Sequence, residues 1–230
     1  MKNRFDIQTL SRVYKAQTPS PYIILNDFLD ESTANKLADE CDSITEKDYD
    51  VNSDGEYDNH QHSNLKRGVK DIGKLPPNMQ YMCRYFNGDK FMEWLRKLTG
   101  NSGLVADDGY HGGGYHHTLP DGHLEVHKDF SYHEKLDMWR KVNILYYLNR
   151  DWKPGDGGEL EIWSKDLAVK HISVQPIFNR AVIFNVDGTP HGHPNPTKID
   201  RRSLAFYYYD NEPVSEKTTR AHWREGDKLV

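Results

Sequence analysis

Two periodicities divide the chain. Up to about residue 103 the apolar positions recur at helical spacing; from Leu104 onward they alternate with polar ones. Residues 1–20 are polar and read as a short lead-in. Tyr22-Ile23-Ile24-Leu25 followed by Asp27-Phe28-Leu29 predicts a buried strand and a turn. Asp30-Glu31-Ser32 opens a helix that carries Leu37, Ala38 and Cys41 on one side. A second helix is expected over 79–98 from Met82, Phe86, Phe91, Trp94, Leu95 and Leu98, with Thr99-Gly100-Asn101 ending it. Between the two, 46–64 is rich in Asp, Asn, Ser and His, and predicts a mobile loop.

In the second half, Leu124, Val126 and Lys128 alternate against Glu125, His127 and Asp129. Strands are expected at 115–119, 142–148, 159–163, 172–174, 181–184 and 203–209. Turns are expected at Pro120-Asp121-Gly122 and across 154–158. Residues 131–139 read as a second mobile segment. Short strands at this spacing predict an α+β, mainly β protein: a double-stranded β-helix, or jelly roll, braced by N-terminal helices. One domain over 1–230 is expected, with a helical part at about 1–103, a jelly-roll core at about 104–210 and a tail at 211–230.

Charge and composition narrow the partners. The 230 residues carry a formal charge of −5 and a pI near 6.2, so no basic surplus calls for nucleic acid or an anionic membrane. No apolar run approaches the roughly 18 residues of a membrane span, and the first ten residues lack the apolar core of a signal peptide. Cys41 and Cys83 are the only cysteines, which fits a reducing cytosol.

The chemistry concentrates in His127, Asp129 and His191, followed ten residues later by Arg201. On a strand, residues i and i+2 share a face, so His127 and Asp129 project together while Lys128 points away. His191, after a turn at Asp187-Gly188-Thr189-Pro190, can return to the same pocket. Two histidines and one carboxylate form a facial set for non-haem Fe(II) that leaves three positions open for a bidentate 2-oxo acid and O2. A His-x-Asp pair also arises by chance in a chain with 12 histidines. Zinc hydrolysis and a cupin-type isomerase site use the same donors, but neither accounts for Arg201. That residue precedes apolar Leu204-Ala205-Phe206 at the mouth of a buried strand, where a dicarboxylate would supply the missing counter-charge. Ser203 shares its face and Arg202 points the other way.

On these residues the chain resembles the prolyl 4-hydroxylase-like branch of the Fe(II)/2-oxoglutarate-dependent dioxygenases. Tyr22 to Leu29 is similar to that branch's opening strand. The run 146–152 with Gly157-Gly158-Glu159-Leu160, and the segment from His191-Gly-His-Pro-Asn-Pro to Arg201-Arg202-Ser203-Leu204, resemble its catalytic half. The resemblance implies His127, Asp129 and His191 as catalytic iron ligands and Arg201 as the anchor of the far carboxylate of 2-oxoglutarate. Tyr147 and Ser203 would join that anchor, Asn143 and Leu145 would line the pocket, and Arg140 would face substrate. Where the family often has a tyrosine ten residues before the first histidine, this chain has His117. It stands either as a substitute co-substrate donor or as a satisfied core histidine. The expected reaction is hydroxylation of a prolyl C–H bond in a protein or peptide with release of succinate and CO2. Fe(II) and 2-oxoglutarate serve it, with ascorbate as an accessory. A halogenase of the superfamily typically has a small residue in place of Asp129. A hydroxylase of a free amino acid, saccharide or other small metabolite, and a non-catalytic metal-binding jelly roll, stay open as alternatives.

Overall fold

In the computed structural model, residues 6–50, 65–214, 216–225 and 228–229 are described. Most of the loop expected at 46–64, with His60 and His62, lies outside them.

The expected polar lead-in is a helix, α1 (Ile7–Lys15). Asp6 caps it by accepting the backbone N–H groups of Gln8 and Thr9 at 3.0 Å each. Only Leu10 and Tyr14 are buried, a stripe too narrow to stand out from the polar residues around it. Asp30 caps α2 (Glu31–Glu40) through the Thr33 N–H. The single helix expected over 79–98 is two, α3 (Pro77–Asn87) and α4 (Asp89–Thr99). They are broken at Gly88, whose ψ of 156° is extended and cannot continue the hydrogen-bond ladder. Gly100, at φ 75°, closes α4 in the left-handed region.

The strands are β1 (Tyr22–Leu25), β2 (Lys66–Val69), β3 (Val105–Ala106), β4 (Gly114–Thr118), β5 (Leu124–Lys128), β6 (Tyr132–His133) and β7 (Met138–Tyr147). They continue as β8 (Leu160–Trp163), β9 (Lys170–Val174), β10 (Ala181–Asn185), β11 (His191–His193), β12 (Arg201–Asp210), β13 (His222–Glu225) and β14 (Lys228–Leu229). They form two antiparallel sheets, the jelly roll expected from the alternation. The larger runs β1-β10-β7-β12-β4-β2, with β3 on β12 and β6 on β7; the smaller runs β14-β13-β5-β11-β8-β9.

The expected segment boundaries do not coincide with the sheets. β1 and β2, from the expected helical part, complete the large sheet, and β13, from the expected tail, pairs with β5. Residues 131–139, expected as mobile, hold a hairpin in which Tyr132 faces Trp139 and His133 faces Met138.

Two apolar layers hold this frame. Helices pack on the large sheet, where the Phe86 ring stacks on Phe206 at 4.4 Å between centroids. Between the sheets lie Tyr147, Leu160, Ile162, Val174, Val182, Phe184 and Val186. That second layer ends at the cavity that holds the polar residues singled out above.

One irregularity matters for the site. Along β7 and β12, Asn143 faces Tyr207 and Val142 faces Tyr208, but Tyr209 faces Arg140, so Lys141 is an extra residue. This bulge reverses the alternation of β7 and turns Arg140 to the same side as Asn143.

Candidate metal centre

His127 on β5 and His191 on β11 are cross-strand partners, which sets their rings 4.8 Å apart. Asp129, one residue past β5, shares the face of His127. Asp129 Oδ1 is 3.5 Å from His127 Nε2, and Oδ2 is 3.3 Å from His191 Nε2. One donor atom from each of the three falls within 4.8 Å of the others.

The protein fixes how these donors point. His127 Nδ1 bonds the Glu125 carbonyl at 2.8 Å and His191 Nδ1 bonds the Thr189 carbonyl at 3.1 Å. An Nδ1–H donated to a carbonyl leaves the Nε2 lone pair facing Asp129, the tautomer a metal needs. Burial pulls the His127 pKa down, which keeps that lone pair free. The Asp129 carboxylate accepts from Asn143 Nδ2 at 2.8 Å and lies 3.0 Å from Arg140 Nη2. Burial alone would raise its pKa, but Arg140 and the two histidines outweigh burial and hold it well below the usual carboxylate range. A buried, ionised carboxylate between two imidazole lone pairs is a donor set that fits a divalent cation.

A cavity of about 270 Å³ opens above the three side chains, between the sheets. Asn143, Leu145 and Ser203 line it, as expected. Arg201 lines it too and is 5% exposed. Its Nε donates to the Gly158 carbonyl at 2.8 Å and its Nη2 to the Tyr147 hydroxyl at 3.2 Å; no carboxylate pairs with it among the described residues. The Ser203 Oγ is buried without a partner among the described residues. A guanidinium and orphaned hydroxyl facing a cavity fit the far carboxylate of a 2-oxo dicarboxylate. Arg202 points out of the cavity, to Asp42 at 2.8 Å and Asp200 at 3.1 Å.

One expectation is corrected. His117 does not face the cavity. It lies on the opposite side of β4, where Nδ1 meets the Tyr49 hydroxyl at 2.7 Å and Nε2 lies 3.0 Å from Asp200 Oδ1. It is a core histidine, and its neighbour His116 lines the cavity instead. Tyr115 shares the parity of His117 and packs among the helix-facing residues, a signal that was present in the sequence. Arg140, expected to face substrate, lines the cavity and also engages the Asp129 carboxylate. Its Nε donates to Asn143 Oδ1 at 2.9 Å, and its guanidinium lies 3.5 Å from the Tyr207 ring centroid and 4.7 Å from that of Phe130.

Among the further lining residues that escaped the sequence reading are Lys66, His116, His193 and Trp223. His193 was findable, being two residues from His191. Its Nδ1 is buried without a partner among the described residues. Burial and the charges of Arg201 and Lys66 hold its pKa well below the usual histidine value. Lys66 is half-buried, and burial together with Arg201 pulls its ammonium down to about 8. Trp223, on β13, covers His127 with ring centroids 4.6 Å apart. No pattern marked Lys66 or Trp223, since both arrive through pairing with distant strands.

Comparison with known proteins agrees with this geometry. Residues 113–209 match the model of the 2OG-Fe(II) oxygenase superfamily. A prolyl-4-hydroxylase of Pseudomonas putida is 19% identical with a TM-score of 0.61, over 89% of this chain and all of that one. A prolyl hydroxylase of Trichoplax adhaerens, solved with a hypoxia inducible factor peptide fragment, is 18% identical with a TM-score of 0.65, over 89% of this chain and 90% of that one. HygX of Streptomyces hygroscopicus, solved with nickel, 2-oxoglutarate and hygromycin B, is 14% identical with a TM-score of 0.55, over 87% of this chain and 86% of that one. These likenesses are of fold, and the family match covers the residues that carry the site. His127, Asp129, His191 and Arg201 all lie inside the segment that matches the 2OG-Fe(II) oxygenase model.

Proposed function

We propose that this chain is a hydroxylase acting on a prolyl residue of a protein or peptide. The observation that carries the oxygenase reading is the placing of two sites in one cavity: the His127, Asp129 and His191 donors on the small sheet, and the Arg201–Tyr147 pair on the large one. Fold likeness to two prolyl hydroxylases supports the choice of substrate, and so do the rings of Phe130, Tyr207 and Trp223 around the cavity, which suit an apolar five-membered ring.

When bound, Fe(II) and 2-oxoglutarate supply the oxidising chemistry: O2 gives one oxygen atom to succinate, formed with CO2 from the 2-oxo acid, and the other to a C–H bond of the substrate. The protein's share is placement. His127 and His191 present Nε2, held by the Glu125 and Thr189 carbonyls. Asn143 and Arg140 fix the rotation of the Asp129 carboxylate. Arg201 and Tyr147 orient the co-substrate by its far end, while Leu145, Leu160 and Phe184 give the cavity an apolar wall that keeps water out.

The test is succinate release with Fe(II) and 2-oxoglutarate, followed by mass spectrometry of prolyl peptides for the gain of one oxygen atom. Succinate release that prolyl peptides never stimulate, but a small metabolite does, would replace the prolyl reading with the small-molecule one. The fold likeness to HygX, solved with hygromycin B, favours that second reading. No succinate from the metal-loaded protein with any substrate would leave a binding protein.

A further inference from the structure

The end of the cavity around Arg201 carries more positive charge than one carboxylate anchor needs. β2, β4 and β12 run side by side, with Lys66 opposite Thr118 and Thr118 opposite Arg201. Side chains on one rung of an antiparallel sheet project to the same face, and both Lys66 and Arg201 line the cavity. Two strand spacings, about 10 Å in all, separate the two backbones. That gap is within the joint reach of a lysine and an arginine that lean towards a common anion.

Among the described residues, neither cation has an anion of its own. Among the described residues, Arg201 donates to the Gly158 carbonyl and the Tyr147 hydroxyl. No hydrogen bond or ion pair among the described residues engages the Lys66 ammonium. The other pocket cations differ: Arg140 is paired with Asp129, and Arg67 with Glu46. Beside Lys66 and Arg201, Ser203 Oγ and His193 Nδ1 are buried and unpartnered among the described residues, and both residues line the same cavity. Two like charges held over a partly desolvated space repel one another, and a carboxylate between them turns that repulsion into two attractions.

We propose that Lys66 is a second cationic anchor for the distal carboxylate of 2-oxoglutarate, sharing it with Arg201 across β4, and that it sets the preference of the pocket for 2-oxo acids carrying that carboxylate. This rests on the co-substrate reading given above. Lys70 does not share the role. It lies four residues further along β2's line, away from the Arg201 rung, and its side chain is exposed.

The experiment is an anaerobic calorimetric titration of the Mn(II)-loaded protein with 2-oxoglutarate and with 2-oxopentanoate, the same carbon chain without the far carboxylate. The unaltered protein is compared with Lys66→Met, Lys66→Arg and Arg201→Met, and Mn(II) affinity checks that each variant keeps the site. Lys66→Met is expected to weaken 2-oxoglutarate binding about tenfold or more, as for loss of a charge-assisted contact, and to leave 2-oxopentanoate binding unchanged. Lys66→Arg is expected to keep most of the affinity. If Lys66→Met binds 2-oxoglutarate as tightly as the unaltered protein while Arg201→Met does not, Arg201 is the sole anchor and the proposal falls alone. Equal weakening of both acids overturns the selectivity claim. Failure of the unaltered protein to bind either acid overturns the co-substrate reading as well.

Discussion

Arg140 Nη2 stands 3.0 Å from Asp129 Oδ2, so the Asp129 carboxylate is already neutralised by a guanidinium that is 2% exposed. Arg140 is thus a positioning residue for the metal centre. Removing it without metal leaves a buried carboxylate lacking its main counter-charge, a loss of about 3–5 kcal/mol. A divalent cation restores positive charge at the same oxygen atoms. Arg140→Met is therefore expected to melt well below the unaltered protein when metal-free, and Mn(II) is expected to raise its melting temperature by the larger increment. Equal increments in thermal melts would show that Arg140 does not compensate Asp129.

His127→Ala, Asp129→Ala and His191→Ala are each expected to reduce succinate release to the protein-free background. Circular dichroism should keep its β signature, because the three side chains contribute donors rather than core packing. An Asp129→Ala protein that made succinate at the unaltered rate would sink the metal assignment.

Arg201→Ala is expected to raise the KM for 2-oxoglutarate by more than a hundredfold, since a desolvated ion pair worth about 3–5 kcal/mol is lost. Tyr147→Phe removes one hydrogen bond to a charged group, about 1.5–3 kcal/mol, and should be milder. Arg202→Ala loses contacts with Asp42 and Asp200 that are largely open to solvent, about 0–1 kcal/mol of stability, and should leave the KM unchanged. Steady-state kinetics on the three variants checks the order, and a larger effect from Arg202 would refute the strand phase.

That phase shows how far the residue pattern carries. His127 and Asp129 were legible because a period of two puts them on one face, and Arg201 because a charge leading into an apolar run needs an anion. The contact of Arg140 with Asp129 was not legible. Plain alternation places Arg140 with Val142, and only the extra residue Lys141 turns it towards Asn143. The break at Gly88 was hidden by apolar residues that keep their spacing from Phe86 to Phe91. β13 was invisible because its pairing with β5 is between residues nearly a hundred positions apart, and nothing in its own sequence names the partner.

Gly158 tests the geometry around Arg201 by backbone alone. It sits at φ 73°, and an added Cβ would lie 3.1 Å from Arg201 Cδ and 3.2 Å from Thr197 Cβ. Gly158→Ala combines left-handed strain of about 1–2 kcal/mol with a push on the arginine stem. It is expected to raise the 2-oxoglutarate KM while Mn(II) affinity stays as it was. A drop in both would mean that the turn collapses rather than shifts.

Trp223 lies over His127, and its loss should let that imidazole rotate. Trp223→Ala is expected to weaken Mn(II) about tenfold, at the low end of what loss of a ligand's support costs. Electron paramagnetic resonance of free Mn(II) measures this directly, and an unchanged affinity would reduce Trp223 to a cover over the cavity.

The bulge at Lys141 has a bearing on any attempt to graft this centre onto another jelly roll. Copying His127, Asp129, His191, Asn143 and Arg140 at their spacings onto a regular strand would deliver four of the five side chains to the cavity and turn the fifth into the opposite layer, a guanidinium among the phenylalanines that face the helices. The inserted residue is thus as much a component of the metal centre as its ligands, although its own side chain pairs with Asp210 and never reaches the metal.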